Sequence, residues 1–383
     1  MNRRQGHSAL CPVISKQLLI VIGIRRYQHM LPIAKRAIKN YLKHPLFWIG
    51  FAIVILGVYQ QLSPCLTIRY LSPEDQIQNN YPQTVHSAEL YEGYIPTPES
   101  ERRGLWEQSM RKSLISDYKM SAAEADTAVN SVKKLNIADA CVYFEEHYNY
   151  FGADYFYDMT AYQKGTNDEL NAYLSEMLED HPFSYYFSRR FADFAGLFMG
   201  FFATILLSVL FLQDTRKHTY ELLYTKPVRA GNYVLGKVLG GFGVCLITLG
   251  ILCLVFWILC LAGTKGNGFE IRLLDFIVAA FLYILPNMLA IICIYALISL
   301  LFKNPLPAAP ILFLLIVYSN MGSRNAEGRF GYYGRAMAIM VRFPGTFFDT
   351  AQPPMVLFNQ TFLIAASACI LLLCAALWKR RRI

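Results

Sequence analysis

Val238-Leu-Gly-Gly-Phe-Gly-Val-Cys-Leu-Ile-Thr-Leu-Gly-Ile-Leu-Cys-Leu-Val-Phe-Trp-Ile-Leu-Cys-Leu-Ala262 runs for 25 residues without a charge. A bilayer core of roughly 30 Å is crossed by about 20 apolar helical residues, so this run is long enough to span it. A soluble protein breaks its apolar runs with polar segments, and this one does not. The same criterion finds five more runs: Pro45–Leu62, Phe194–Leu212, Phe276–Phe302, Pro305–Met321 and Met355–Trp378. Pro286 predicts a kink in the fourth of the six. The fifth, at seventeen residues, sits at the lower limit for a span.

Composition agrees. The chain has 383 residues, of which 55% are hydrophobic and only 16% charged. Its net charge of +9 is unevenly spread: Ser63–Ser188 holds 20 acidic and 9 basic residues, which leaves +20 for the rest. A nucleic-acid binder would cluster its basic residues on a soluble fold. Here they flank apolar runs, so nucleic acid is not an expected partner.

The expected fold is therefore an all-α membrane protein of six transmembrane helices. Lys and Arg near the span ends set the orientation. With the N-terminus inside, the inner segments carry 19 of them and the short outer segments eight. Both termini are then cytoplasmic. Four arginines between the fifth and sixth spans (Arg324, Arg329, Arg335, Arg342) run against this bias, as a structured outer loop would allow. The domains read as residues 1–44, a cytoplasmic N-terminus; 45–62, the first span; 63–188, an extracellular domain; and 189–383, the remaining spans. The last part includes a cytoplasmic loop at about 214–237 and an outer loop at 322–354.

From Leu31 the chain reads as an amphipathic helix. Leu31, Ala34, Ile38, Tyr41 and Leu42 lie near one face, and Lys35, Arg36, Lys39 and Lys43 lie largely elsewhere. Such a helix rests in the inner interface with its lysines toward anionic membrane lipid. Before it, Leu18–Ile24 is too short to span, and no small-residue cleavage site follows it. Met1 and Met30 both stay open as the start.

The outer domain looks mainly helical. Ser121-Ala-Ala-Glu124 is a capping box opening a helix to Leu135, and a second helix is expected over Asn167–Leu178. Between them, Tyr143, Tyr148, Tyr150, Tyr155, Tyr157 and Tyr162 read as the core of a small domain or as a contact surface for peptide or lipid. Six of the nine cysteines lie inside apolar runs as small buried hydrophobes. Cys65 and Cys141, both in the outer domain, are a candidate disulfide.

The segment between the second and third spans is Asp214-Thr-Arg-Lys-His-Thr-Tyr-Glu-Leu-Leu-Tyr-Thr-Lys-Pro-Val-Arg-Ala-Gly-Asn-Tyr-Val-Leu-Gly-Lys237. Thr219 can cap a short helix, Glu221 suits the positive end of its dipole, and Pro227 stops it. A short charged helix across the cytoplasmic mouth suits docking on a soluble partner. Thr219-Tyr-Glu221-Leu222-Leu223, Lys226-Pro227-Val-Arg229 and Gly236-Lys237 resemble the coupling-helix segment of type-2 ABC transporter permeases, with His218 where that family has glycine. The layout of inner amphipathic helix, six spans and large outer insertion is similar too. The resemblance implies that Thr219, Glu221, Leu222, Leu223, Lys226, Pro227, Arg229 and Lys237 contact an ABC ATP-binding subunit. It also implies a second permease subunit in a homo- or heterodimer, and ATP and Mg on the ATPase rather than on this chain.

Gly231–Val238 nearly matches a phosphate-binding loop, but Val238 stands where Ser or Thr should hold magnesium. No cofactor is expected on this chain, and no metal-ligand cluster is found. Gly236, Gly240 and Gly243 have the spacing that lets helices approach closely, for packing or for a dimer seam. Asn287, Asn359 and Gln360 are polar groups at membrane depth. They line a translocation path or bond helix to helix. Asp193 and Asp275 lie at span ends. The absence of an acid mid-membrane argues against a proton- or sodium-coupled transporter. The chain carries no HExxH motif and no nucleophile elbow, so no catalytic site of its own is expected, only a part in an ATP-hydrolysing complex. The expectation is the permease subunit of an ATP-driven exporter of an amphipathic peptide, drug or lipid. The alternative is a membrane sensor or scaffold whose outer domain binds a ligand.

Overall fold

The computed structural model describes residues 30–75, 82–215, 230–324, 330–331 and 334–381. It is mostly helical, and among the described residues five helices, the broken Leu273–Phe302 counted as one, are long and apolar enough to cross a membrane. Helix α1 (Leu31–Leu42) opens on Pro32 and buries Ala34, Ala37 and Tyr41. Helix α2 (Pro45–Leu62) is the first candidate span. His44 caps it by accepting from the Leu46 amide, and the Trp48 indole donates to the Leu42 carbonyl across the corner.

An insertion follows. It holds three short antiparallel strands, β1 (Thr84–Val85), β2 (Tyr94–Pro96) and β3 (Tyr162–Lys164), with β3 in the middle. Between β2 and β3 come α3 (Glu99–Ser116), α4 (Ala122–Val132), α5 (Ile137–Tyr148) and α6 (Ala153–Asp158). Strand β3 (Tyr162–Lys164) leads to α7 (Asn167–Asp180). The expected capping box opens α4, with the Ser121 hydroxyl accepting from the Glu124 amide, and Thr166 and Glu169 form a second at α7. The α3–α6 layer has its own core of Trp106, Met110, Leu114, Phe144 and Tyr150. Trp106 is fully buried and its indole donates to the Ala153 carbonyl at 2.8 Å. Truncating such a side chain costs about 3–5 kcal/mol, a large share of a domain's stability. Of the tyrosine-rich stretch, Tyr150 and Tyr157 are buried in this core, whereas Tyr155 is 60% exposed.

Cys65 and Cys141 are not joined. Cys65 sits in the core of the spans, and Cys141 packs against the insertion's separate core. Burial pushes the Cys65 thiol up to about 12, which keeps it protonated and inert.

Helix α8 (Phe183–Thr215) begins well before the expected Phe194. A reading based on the absence of charge stops at Arg189, Arg190 and Asp193, yet these lie within the helix. Helix α9 (Ala230–Gly263) takes in Gly231–Val238, so the near-match to a phosphate loop is helix. Helices α10 (Leu273–Tyr283) and α11 (Leu285–Phe302) form one broken span with its kink at Ile284, beside Pro286 as expected. Helix α12 (Ala308–Asn320) lies within the expected fifth span, Pro305–Met321, and is shorter than it. Its 13 residues rise about 20 Å, too little to cross alone. A two-stranded hairpin, β4 (Ser323–Arg324) with β5 (Phe330–Gly331), and a loop at 334–355 lead to α13 (Val356–Arg381).

The glycines of α9 form the bed for α1. A Cβ on Gly240 would fall 2.5 Å from the Ala37 Cβ, one on Gly236 2.9 Å from Ile33, and one on Gly243 2.9 Å from Ile38. Within this chain the small-residue stripe serves packing. Gly250, two turns on, faces open space.

Two outcomes are expected. Gly240→Ala should displace α1 and lower the thermal midpoint of the detergent-solubilised chain, at a cost of about 1–3 kcal/mol. Gly250→Ala should leave that midpoint unchanged or raise it, by up to ~1 kcal/mol of helix propensity. Equal effects of the two would refute the close approach. The second outcome concerns acid. Hydrogen bonds hold Glu124 (from Ser121), Glu169 (from Thr166), Asp126 (from Arg111) and Asp117 (from Ser113) below the ordinary carboxylate range. Groups whose folded pKa is depressed stabilise fully above the unfolded value and lose that contribution as pH falls through the folded one. Unfolding of the insertion followed by circular dichroism should therefore show a midpoint that drops below about pH 4. Glu124→Gln should flatten part of that drop.

Candidate functional site

One set of charged and polar groups meets where α8, α12, the insertion and the 334–355 loop come together. Helix geometry starts the arrangement. Arg190 and Asp193, three apart on α8, share a face. Glu89 begins the short 3-10 turn Leu90–Glu92, its amide donating to the Glu92 carboxylate at 2.9 Å. Gly93, at φ 86, ends that turn in the left-handed region. The turn aims the Glu89 carboxylate at α8.

Glu89 joins three segments. One carboxylate oxygen accepts from the Arg190 guanidinium at 2.5 Å, and the other accepts from the Phe347 amide at 2.7 Å. Arg190 also donates to the Phe343 carbonyl at 3.1 Å. One turn along, Asp193 accepts from the Arg342 guanidinium and, at 3.1 Å, from the Phe343 amide. Arg342 reaches on to the Asn320 side-chain oxygen at the end of α12. Asn320 donates to the Ile316 carbonyl, and Ser319 accepts from the Ile339 amide at 2.9 Å. Side chains of Glu89 and Arg190 are only 14% and 13% exposed, and Asp193 is 1%.

Charges this withdrawn from water interact strongly, on the order of 4 kcal/mol for a close pair at an effective dielectric of 20. Their desolvation consumes a comparable amount, so the pairs add little net stability. Losing one partner is different, since it strands a buried charge at about 3–5 kcal/mol. The pairs thus fix an arrangement more than they stabilise it. Aromatic rings close the space around them: Phe347 packs on Phe183 at 5.1 Å between centroids, Phe348 on Tyr186 at 5.0 Å, and Phe343 on Tyr283 at 5.1 Å.

A second polar group lies at the kink of the broken span. Pro286 has no amide proton, and the interrupted helix needs its carbonyls satisfied. Asn287 supplies a side-chain donor to the Tyr283 carbonyl at 2.6 Å, and Gln360 of α13 donates to the Asn287 oxygen at 3.1 Å. Asn359 faces the loop, donating to the Arg335 carbonyl at 2.7 Å and accepting from the Met337 amide at 2.8 Å. All three are buried. Asn287 and Gln360, flagged from sequence as path or helix-to-helix groups, meet each other, and Asn359 instead anchors the loop.

Of the residues expected to contact an ATPase, Thr219, Glu221, Leu222, Leu223, Lys226, Pro227 and Arg229 lie outside the described residues. Lys237 lies on the first turns of α9, beside α1. The sequence reading missed Glu89, Arg190, Asp193 and Arg342 as a group. Part of their signal was present: Arg342 stood among the four arginines that ran against the orientation bias. Among the described residues no three His, Cys, Asp or Glu side chains could hold a metal.

Comparison with known proteins agrees with this architecture. The family model described as ABC-2 family transporter protein matches residues 31–340, from the first residue of α1 into the loop that Glu89 and Asp193 anchor. No curated protein and no solved structure matches the chain. With most of its length matched and five helices able to cross a membrane, the chain belongs to the ABC-2 transporter family, as a multi-pass membrane permease subunit of an ABC transporter.

Proposed function

We propose that this chain is the permease of an ATP-driven exporter, and that residues 214–237 couple it to a separate ATP-binding subunit. The observation that carries the reading is the placement of α8. Its 33 residues extend about 50 Å, with the insertion at one end and residues 216–229 beyond the other. The insertion and the coupling segment therefore belong to opposite membrane faces. Helix α1 packs at the coupling end, on Gly236 and Gly240, and Trp378 near the end of α13 stacks on Tyr233 there at 4.2 Å. The chain's basic residues gather at this end too, which favours the cytoplasmic side for both termini.

In this reading ATP binding draws two ATPase subunits together, and each coupling segment transmits the motion into α8 and α9. A second permease subunit completes the pathway. The substrate is amphipathic: a peptide, drug or lipid. Exposed Lys35, Arg36 and Lys39 on α1 lie along anionic lipid headgroups. ATP and Mg belong to the partner, and this chain supplies the path.

The test is a mild-detergent pull-down of the tagged chain, with mass spectrometry and an ATPase assay on the eluate. A stoichiometric ATP-binding subunit should co-purify. Glu221→Lys should abolish its stimulation, by about tenfold or more, because an interface charge is reversed. Elution volume should not change. A clean preparation without ATPase activity in several lipids would turn the assignment toward a sensor or scaffold whose insertion binds a ligand.

A further inference from the structure

We propose that the Glu89–Arg190 and Asp193–Arg342 pairs form a latch that holds the 334–355 loop closed over the ends of the spans, and that the latch opens whenever the pathway opens on that side. The closed state is shown by the contacts, and the opening rests on the permease reading above.

The loop has no helix or strand between Gly334 and Met355, so side chains must hold it in place. It is nonetheless deeply seated. Ala338, Ile339, Met340, Phe343 and Phe347 are all buried, four of them in the same core as the spans. Met340 lies against Gly200 of α8 so closely that a Cβ there would fall 2.1 Å from its terminal methyl. Withdrawing the loop would pull Met340 and Phe347 from between the spans, so the loop has the seat of a plug.

What fixes the plug is electrostatic and long-range. Glu89 holds Phe347, 258 positions away in sequence, and Asp193 holds Arg342 and Phe343. Both anchor on one turn of α8, so a rotation of that helix would strain both pairs together. The Glu89 end belongs to the insertion, and β3 adds a contact between the Tyr162 and Thr346 hydroxyls at 3.3 Å. The insertion is thus tied to the plug. Buried ion pairs contribute little net stability but define one arrangement against others, which suits a contact that must break and re-form. The Nε of Arg190 is buried without a hydrogen-bond partner, so the pair is incompletely satisfied as it stands.

The probe is Thr346→Cys in the full chain, reconstituted in vesicles and treated with a membrane-impermeant maleimide. The parent without the added cysteine is subtracted. Thr346 is 8% exposed, so labelling should be slow. Glu89→Gln and Asp193→Asn each keep size and lose charge, and each should speed labelling by about tenfold or more. Glu89→Gln with Arg190→Gln should label no faster than the faster single variant, because no unpaired charge is left buried. Elution volume and intrinsic fluorescence check the fold, and Arg342→Lys replaces any variant that aggregates. Unchanged labelling in the folded single variants would overturn the latch. So would a double variant whose effect is the sum of its parts, as plain packing would give. Addition of the ATPase subunit and ATP should speed labelling in the Thr346→Cys chain itself. Variants that respond while ATP does nothing would keep the latch and remove the transport reading.

Discussion

A bilayer gives a backbone amide no water to bond with, and the breaks in this chain's spans answer that constraint. Where the helix runs unbroken, the backbone satisfies itself. Where Pro286 breaks it, Asn287 turns its side chain back to the Tyr283 carbonyl and Gln360 steadies it from α13. Where α12 stops short, Ser319 and Asn320 receive the loop that follows. Buried Thr204, Thr248 and Ser367, away from any break, instead return their hydroxyls to carbonyls of their own helices.

The same constraint explains the charged pairs. Arg190, Asp193 and Arg342 sit where the low-dielectric interior meets the insertion, and none could be buried alone. Glu89 brings the insertion into that network. A polypeptide that could have hung from the spans by two linkers is bonded to them instead, through the Glu89 carboxylate and the Tyr162–Thr346 contact. The insertion keeps a core of its own around Trp106, while its strands and α7 belong to the region beside the membrane.

Much of the fold was legible in sequence because it depends on local pattern. Charge-free runs located α2, α9 and α13, Pro286 placed the kink, and Ser121 with Glu124 placed the start of α4. The glycine spacing of α9 predicted a close approach, though not that α1 would occupy it. The failures share a cause: they depend on partners distant in the chain. Arg189, Arg190 and Asp193 looked like the surface end of a helix, because nothing local shows that Glu89 and Arg342 neutralise them. Strands of two or three residues carry no readable alternation. The candidate site was half legible: Asn287 and Gln360 were marked by their polarity, but Glu89 is one acid among many in an acidic insertion. The coupling segment was read from its motif alone.

The shortness of α12 reaches beyond the protein. Its apolar side chains Ile311, Phe313 and Leu314 are exposed, but the helix offers lipid a wall of only about 20 Å against a hydrocarbon core of roughly 30 Å. The apolar rim is therefore uneven in height, the kind of mismatch that a bilayer takes up by thinning or that a neighbouring subunit can cover.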